Sequence, residues 1–314
     1  MRRSAQTRRG RAERPPAARP PVRRRPGRCA TAAAALLFGV GAALGPAPAS
    51  AAVAAGPPGA GGPADGSAPA GPGGLADTVA LSNCSGALVR LPRSRPADPA
   101  LVLTNGHCLE DAVPEPGEVR TDEPSGRGFT LLDVEGDPLG TLRAARLTYA
   151  TVTGTDVAVY RLRSSYAEIG DRFGSVPRTL DARRPAVGTA IEIPSGYWKH
   201  VYRCAIDGFV PVLREGRWAM TDSLRYTRAC ATVGGTSGAP VVDSATGRVV
   251  GVNSTGNDEG GLCLVHNPCE VAPGGRVTAR RGVNYGQQTY GLVRCFSDGN
   301  VLALTRPGCR LPDR

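Results

Sequence analysis

The chain has 314 residues and a formal net charge of +11. Eleven of its arginines lie within the first 28 residues, which hold one acidic residue, so the rest of the chain has 27 basic and 26 acidic residues. Beyond this basic leader the chain is close to neutral, and its charge gives no reason to expect nucleic acid as a partner.

The first 51 residues have the pattern of a secretory signal peptide. An arginine-rich head precedes the apolar run ATAAAALLFGVGAALG at 30–45, and Ala49-Ser50-Ala51 provides a small-residue cleavage site. A single membrane anchor is the alternative, but the run is short and rich in glycine for a span. The Arg, Ala, Gly and Pro usage is typical of a GC-rich bacterial genome. We therefore predict a secreted bacterial protein without stable membrane association after cleavage.

Residues 52–76 are mostly Ala, Gly and Pro and have too little apolar surface to offset the entropy of ordering. We interpret them as a linker or pro-segment, and residues 77–314 as the folded domain. The polar segment at 113–128 is rich in Pro and Gly and predicts an exposed loop. The segment NYGQQTYGLVRCF at 284–296 fits either a helix or a final strand.

The domain has short apolar runs separated by Gly, Pro, Asp and Asn, which is typical of a β-sandwich or β-barrel. The runs are GALVRL, ALVLTNG, FTLLDV, ARLTYA, DVAVYRL, AIEIPSG, APVVD and RVVGVNSTG.

Eight of the nine cysteines follow the leader. An even number in an exported chain predicts four disulfides. No C-x-x-C pair is present, so we do not expect a zinc cage, and no site for a nucleotide or other cofactor is visible. The eight residues are Cys84, Cys108, Cys204, Cys230, Cys263, Cys269, Cys295 and Cys309.

Three segments carry candidate catalytic residues. His107 follows an apolar strand in LVLTNGHC, where a Cys84–Cys108 disulfide would hold its loop in place. Asp156 opens the apolar run in TDVAVYRL, and a carboxylate there could accept the imidazole N–H and fix its tautomer. Ser237 lies in GGTSGAP, where glycines permit a tight turn that exposes the hydroxyl. Taken singly, each residue has an alternative: His107 could be structural, Asp156 could be an ordinary turn residue, and Ser237 could belong to a polar loop.

In this order, TNGHC, TDVAVYRL and GGTSGAP resemble the T-A-A-H-C, D-I-A-L-x-x-L and G-D-S-G-G-P motifs of the chymotrypsin-like (trypsin-like, S1-type) serine proteases, particularly exported bacterial ones. CSGALV at 84–89 and GVNSTG at 251–256 resemble the strand before the histidine loop and the strand beside bound substrate. The resemblance covers residues 77–256. It implies an all-β fold of two six-stranded antiparallel β-barrels with the active site between them.

The resemblance also implies the role of each residue. Ser237 would be the nucleophile, His107 the general base and Asp156 the group that orients His107. The backbone N–H groups of Gly235 and Ser237 would bind the oxyanion, and the reaction would pass through an acyl-enzyme. We expect a secreted, monomeric endopeptidase whose partner is a polypeptide substrate and which needs no cofactor.

The substrate pocket implied by the resemblance has two walls, and the first has no acidic residue, so a strong preference for arginine or lysine is not supported. Glutamyl endopeptidases have a similar serine motif but carry a histidine where Asn253 aligns, so a preference for glutamate is not supported either. We expect His200 and His266 to be surface or structural residues, although either could contact substrate. The walls are Ala231 and Thr232 on one side and Ser254, Thr255 and Gly256 on the other.

The serine motif departs from the family pattern at two positions. Thr236 stands where the animal digestive members have an aspartate that pairs with a freshly cut N-terminus. We therefore predict an active site that does not depend on a new α-amino group. Ala239 replaces the usual glycine, which adds only a methyl group.

Two questions stay open at the level of sequence. The first is the disulfide pairing. We favour Cys84–Cys108 most, and proximity in the chain favours Cys295–Cys309. For the other four cysteines, the pairings Cys204–Cys230 and Cys263–Cys269 are one alternative and Cys230–Cys263 is the other.

The second question is the function. A serine esterase of the α/β-hydrolase fold would need an acid and a histidine after Ser237, where only His266 is available. A non-catalytic binding or scaffold protein that keeps the protease fold is the other alternative.

Overall fold

The computed structural model describes residues 73–313. The predicted signal peptide and most of the predicted linker lie outside the described residues. Within residues 73–313, no helix is long and apolar enough to cross a membrane.

The first half of the described chain forms a closed barrel. Six antiparallel strands follow one another in the order β1-β5-β6-β7-β3-β2, and β2 returns to pair with β1. Strand β4 pairs with β6, and β8 lies parallel to β2. The strands are β1 (Thr78–Ala80), β2 (Ser85–Arg90), β3 (Pro99–Thr104), β4 (Val119–Pro124), β5 (Gly128–Leu132), β6 (Pro138–Thr151), β7 (Val157–Ser165) and β8 (Arg178–Thr179).

The second half forms another six-stranded ring. Its order is β10-β11-β16-β13-β12-β9, closed by the pairing of β9 with β10, while β14 and β15 extend the sheet from β10. The predicted pair of six-stranded antiparallel barrels is therefore confirmed. The strands are β9 (Ala190–Ser195), β10 (His200–Glu215), β11 (Trp218–Tyr226), β12 (Pro240–Asp243), β13 (Val249–Gly256), β14 (Cys269–Val271), β15 (Val277–Ala279), β16 (Asn284–Gln288) and a separate hairpin of β17 (Phe296–Ser297) and β18 (Val301–Leu302).

The near-continuous apolar strands of the first barrel bury both of their faces. Along β2, Leu88 packs inside the first barrel, whereas Ala87 and Val89 belong to a second buried cluster that also contains Val242 and Val252. Successive side chains of a strand point to opposite faces, so one face fills the barrel and the other packs against its neighbour. This packing explains why GALV has no polar residue on either face.

Two α-helices are short. Helix α1 (Tyr166–Phe173) begins at Ser165, whose hydroxyl accepts the backbone N–H of Glu168 in a capping box, and it ends at Gly174 with φ +67°. Helix α2 (Tyr290–Val293) follows β16 directly. The segment at 284–296 is thus a strand and then a helix, so each of the two predicted forms occupies part of it.

The prediction of an exposed loop at 113–128 is wrong for its centre. Strand β4 pairs with β6 from Val119 opposite Thr151 to Pro124 opposite Arg146. Its side chains are half-buried or exposed. Because this strand lies outside the barrel, polar side chains suit it, and the sequence shows no apolar alternation.

A long hairpin of β10 and β11 in the second barrel makes hydrogen bonds to the first barrel. Ala219 accepts the backbone N–H of Gly154 at 2.9 Å, and the backbone N–H of Thr221 donates to Gly154 at 2.8 Å. Trp218 Nε1 donates to the carbonyl of Pro114 at 2.9 Å. The hairpin tip therefore bonds directly to loops of the first barrel.

All four predicted disulfides are present. They join Cys84 to Cys108, Cys204 to Cys230, Cys263 to Cys269, and Cys295 to Cys309. For the middle four cysteines, the structure has Cys204–Cys230 with Cys263–Cys269 and not Cys230–Cys263.

Candidate active site

His107 lies in a short 3-10 turn, Gly106–Cys108, that follows β3. The disulfide at Cys108 ties the turn to the first barrel, and the buried guanidinium of Arg127 donates to the Cys108 carbonyl at 2.7 Å. A Cβ on Gly106 would overlap the backbone of Thr151, so only glycine permits this close approach. The turn thus fixes the position of the imidazole.

Asp156 precedes β7 and is 1% exposed. Its Oδ2 accepts a hydrogen bond from His107 Nδ1 at 2.7 Å, and its Oδ1 accepts the backbone N–H of His107 at 3.0 Å. The hydroxyl of Ser254 donates to Oδ2 at 2.7 Å. A buried carboxylate needs such donors because it has lost its water.

The ionisation of this pair follows from these contacts. Burial raises the pKa of Asp156, but the positive charge and hydrogen bonds of His107 and the hydroxyl of Ser254 outweigh it and hold that pKa below its usual range. Burial by itself would lower the pKa of His107, but Asp156, with a smaller contribution from Glu215, raises it above 6.5. At neutral pH Asp156 is therefore ionised and favours a proton on Nδ1 of His107.

Ser237 lies in the loop between β11 and β12, and its side chain is half-buried. Its Oγ donates to the carbonyl of Ser254 at 3.2 Å. Ser237, His107 and Asp156 all line one cavity of about 400 Å³. Gly238, with φ +82°, lies so close to the backbone of Ser85 that any Cβ would overlap it.

The turn before Ser237 is held by its carbonyl groups. Trp198 Nε1 donates to the carbonyl of Gly234 at 2.7 Å, and Ser85 Oγ donates to that of Gly235 at 2.9 Å. Gly235 has φ +89°, and a Cβ on it would approach the ring of Tyr197 to 2.7 Å. Within residues 73–313, the backbone N–H groups of Gly235 and Ser237 donate to no protein acceptor, so both are available to a ligand.

Thr236 is fully buried, and its hydroxyl has no hydrogen-bond partner among the described residues. This residue stands where an activation aspartate would lie, and it offers no negative charge to a new N-terminus.

Four of the five predicted pocket residues line the cavity: Thr232, Ser254, Thr255 and Gly256. Ala231 does not line this cavity. It is exposed between the buried Cys230 and Thr232. The disulfide of Cys230 and the cavity-facing Thr232 leave the intervening side chain on the outside of the loop.

Several cavity residues were not singled out from sequence as pocket residues. Asn284 comes from β16, and Asn253 lies opposite Gly286 across the β13–β16 pairing. Glu215 is the last residue of β10 and accepts the backbone N–H of His266 at 2.8 Å. No local motif marks Asn284 or Glu215; only the pairing of distant strands brings them to the cavity.

The two remaining histidines differ in position. His266 lines the cavity in the loop closed by Cys263 and Cys269, whereas His200 is exposed on β10 with its ring against Tyr202.

Burial raises the pKa of Glu215, although the Thr255 hydroxyl, the His266 N–H and the charge of His107 partly oppose it.

Among the described residues, the one group with metal-ligating atoms close together is Cys84, His107 and Cys108. Its two sulfurs are bonded to each other, so it supplies no thiolate to a metal.

Comparison with protein families identifies a trypsin-like peptidase domain at residues 84–252, which is more than half of the chain. The chain belongs to the trypsin-like peptidase family. This trypsin-like domain match contains the segments of His107, Asp156 and Ser237. A comparison with curated proteins found no match.

Solved structures of proteases are also similar to this trypsin-like chain. The MamO protease domain of Magnetospirillum magneticum is 14% identical with a TM-score of 0.45, over 71% of this chain and 97% of that chain. A Glu endopeptidase in complex with MPD is 16% identical with a TM-score of 0.41, over 68% and 85%. Nocardiopsis protease is 15% identical with a TM-score of 0.42, over 70% and 93%. The family assignment rests on the domain match alone.

Proposed function

We propose that the protein is a secreted serine endopeptidase that hydrolyses peptide bonds with Ser237, His107 and Asp156. The observation that carries the proposal is the pair of hydrogen bonds from His107 and Ser254 to Asp156, at the cavity that Ser237 also lines. Of the three histidines in the chain, only His107 has a carboxylate bonded to its ring nitrogen in the described residues.

The proposed reaction begins with rotation of the Ser237 hydroxyl from the Ser254 carbonyl toward His107. Asp156 accepts a hydrogen bond from Nδ1–H, which keeps the proton on Nδ1 and leaves Nε2 unprotonated and able to act as a base. Catalytic hydrogen bonds often form only when substrate binds, so the contact of Ser237 with Ser254 is compatible with this step.

Ser237 Oγ then attacks the peptide carbonyl carbon while Nε2 takes the hydroxyl proton. The carbonyl oxygen becomes an oxyanion against the N–H groups of Gly235 and Ser237. His107 returns the proton to the leaving amine, and an acyl-enzyme remains. Water hydrolyses this ester by the same route in reverse and regenerates Ser237.

The four disulfides support an exported, oxidising location for this activity. We further propose that the exported protein is a monomer and that its substrate is an extended polypeptide lying beside Ser254, Thr255 and Gly256.

A fluorophosphonate probe tests the proposed nucleophile. We expect covalent labelling of the exported wild type and its loss in both Ser237→Ala and His107→Ala. Ser244→Ala, which removes an exposed serine outside the cavity, should label as the wild type does. A folded wild type that does not react would contradict the proposal and favour a binding or scaffold protein.

Hydrolysis of an unfolded protein such as reduced, alkylated casein separates a peptidase from an esterase. The labelled wild type should release peptides from it. If the protein hydrolyses only small esters, the proposed peptidase activity is wrong although the nucleophile is correct.

A further inference from the structure

Three buried side chains that line the cavity are polar and uncharged, and Gly256 lies beside them. We call this part of the cavity the amide pocket and define it by Thr232, Asn253, Gly256 and Asn284. Thr232, Asn253 and Asn284 are 6%, 3% and 5% exposed, respectively. Buried polar groups are normally paired, so unpaired ones in a cavity indicate what a ligand there must supply.

Asn284 presents an acceptor to this pocket. Its Nδ2 donates to the carbonyl of Cys230 at 2.9 Å. A carbonyl can only accept a hydrogen bond, so the amide orientation is fixed and Oδ1 points away from Cys230. Gly256 leaves room for this oxygen, because a Cβ on Gly256 would overlap Asn284 Oδ1. Within residues 73–313, Oδ1 of Asn284 accepts no hydrogen bond.

Asn253 and Thr232 present a donor. Thr232 Oγ1 donates to Asn253 Oδ1 at 3.4 Å, which occupies the oxygen of the amide. Asn253 Nδ2 then has no acceptor among the described residues. The pocket therefore offers one unused acceptor and one unused donor on different strands, since Asn253 lies on β13 and Asn284 on β16.

None of the four residues of the amide pocket is charged, but the Asp258 carboxylate borders it, because a Cβ on Gly256 would lie 3.5 Å from Asp258 Oδ1. The cavity as a whole is lined by Glu215 and Asp258 besides Asp156, and by no arginine or lysine. Glu215 is bonded to the backbone N–H of His266, outside the pocket. Asp258 is exposed, so water screens its charge.

We propose that this protease cleaves after glutamine, with asparagine as the shorter second choice. The inference rests on the proposed function. A side-chain carboxamide has an N–H₂ for Asn284 Oδ1 and an oxygen for Asn253 Nδ2, so both buried groups become paired.

Other side chains leave a mismatch. A glutamate carboxylate has only acceptors and would face Asn284 Oδ1. An arginine or lysine has only donors and would face Asn253 Nδ2, and an apolar side chain would leave both amides unpaired. A site built around hydrogen bonds rejects analogues that lack them more strongly than an apolar pocket rejects a change in size.

Cleavage-site mapping by mass spectrometry is the first test. Reduced, alkylated proteins digested by the wild type should be cut predominantly after glutamine and secondarily after asparagine. Predominant cleavage after glutamate, arginine, lysine or apolar residues overturns the inference while the proposed peptidase function stands. No cleavage of any protein overturns the proposed function, and this inference with it.

Fluorogenic peptides that differ only in the residue before the scissile bond give the size of the effect. We expect kcat/KM for glutamine to exceed that for glutamate, leucine or arginine by roughly 10- to 100-fold. Equal values for glutamine and leucine would contradict the assigned hydrogen bonds.

Variants connect the preference to the pocket. Asn253→Leu, which keeps the side-chain shape, should lower kcat/KM for the glutamine peptide by about tenfold or more and change it little for an alanine peptide. Thr232→Val, which removes the hydroxyl that donates to Asn253 Oδ1, should also lower kcat/KM for the glutamine peptide. Thr278→Val on β15, outside the cavity, is its matched control. Labelling by fluorophosphonate at the wild-type rate shows that each variant is folded. An equal loss for both peptides would mean a structural role and overturn the assignment.

Asp258→Asn separates the amide pocket from an electrostatic preference. The glutamine preference should persist in this variant. Cleavage after arginine or lysine that disappears with Asp258 would assign the preference to that carboxylate instead.

Discussion

Two carboxylates influence the imidazole of His107. Asp156 bonds to Nδ1 directly at 2.7 Å, whereas Glu215 lies on the same cavity and acts through its charge. The direct partner sets the tautomer and orientation. The more distant carboxylate stabilises the imidazolium without fixing its geometry. Glu215, at the tip of the β10–β11 hairpin, therefore alters the pH range in which His107 is unprotonated.

Removing the charge of Glu215 should shift the pH profile of the enzyme. In the proposed reaction His107 is a base only when neutral, and its raised pKa moves the acid limb of kcat/KM to higher pH than an ordinary histidine would give. Glu215→Gln removes one contribution to that rise, so the limb should move to lower pH while the plateau at high pH is retained. Measurement of kcat/KM between pH 5 and about 9 checks this shift.

Glu115→Gln is the matched control for this variant. Glu115 is exposed and paired with Arg217, and it does not line the cavity. Its profile should coincide with that of the wild type. An acid limb that stays in place or moves upward in Glu215→Gln would show that the Glu215 charge does not reach His107.

At the scale of elements, the turn from Gly234 to Ser237 is kept in shape by two other segments. Its carbonyls bond to Ser85 on β2 and to Trp198 in the turn between β9 and β10. Because each carbonyl is held on the side of these donors, the N–H groups of Gly235 and Ser237 have no protein acceptor within residues 73–313. The proposed oxyanion site thus depends on parts of both barrels.

Trp198→Phe should lower kcat more than it raises KM. The substitution keeps the aromatic contact but removes the donor to Gly234, so the turn can rotate and the oxyanion loses part of its hydrogen bonding. Direct removal of one oxyanion donor costs roughly 100- to 1,000-fold in kcat, and we expect about tenfold for this indirect effect. Steady-state kinetics on one peptide measures both constants.

Tyr197→Phe provides the control within the same turn, since it retains the ring beside Gly235 and removes only a hydroxyl. Its kcat should stay near that of the wild type. Equal losses in the two variants, or a loss confined to KM, would be evidence against a role for the Trp198 donor.

The same comparison of elements shows what could be read from the sequence. Apolar runs such as ALVL and DVAVY indicate strands directly because both of their faces are buried. His107, Asp156 and Ser237 could be assigned because each lies in a short motif. Strand β4 and the β10–β11 hairpin have mixed polar sequences and could not be identified in this way. Asn284 and Glu215 reach the cavity only through the pairing of distant strands, which no local pattern specifies.

For the molecule as a whole, the question is whether activity needs a newly cut N-terminus. Near the start of the described chain, Asp77 is buried and bonded to Ser175, and Arg178 donates to the carbonyls of Gly74 and Ala76. Thr236 has no charge to attract an α-amino group. A protein that begins at residue 52 and one that begins at residue 73 should therefore have equal kcat/KM.

Acetylation of amines tests this independence further. Lys199 is the single lysine of the chain, so in Lys199→Arg the N-terminus is the one primary amine. Acetylation of this variant should leave its activity unchanged. Activity that appears only after cleavage near residue 77 and disappears on acetylation would contradict the prediction.

The hairpin that bonds to Gly154 and Pro114 also has a consequence for the kinetics of encounter. Because its backbone hydrogen bonds tie one barrel to a loop of the other, we expect the cleft to keep the same width when a ligand binds. When the free protein is already in the binding-competent conformation, its apparent affinity for a ligand is not reduced by a conformational equilibrium. Association of a competitive inhibitor should then be a single-exponential process with an observed rate that rises linearly with inhibitor concentration.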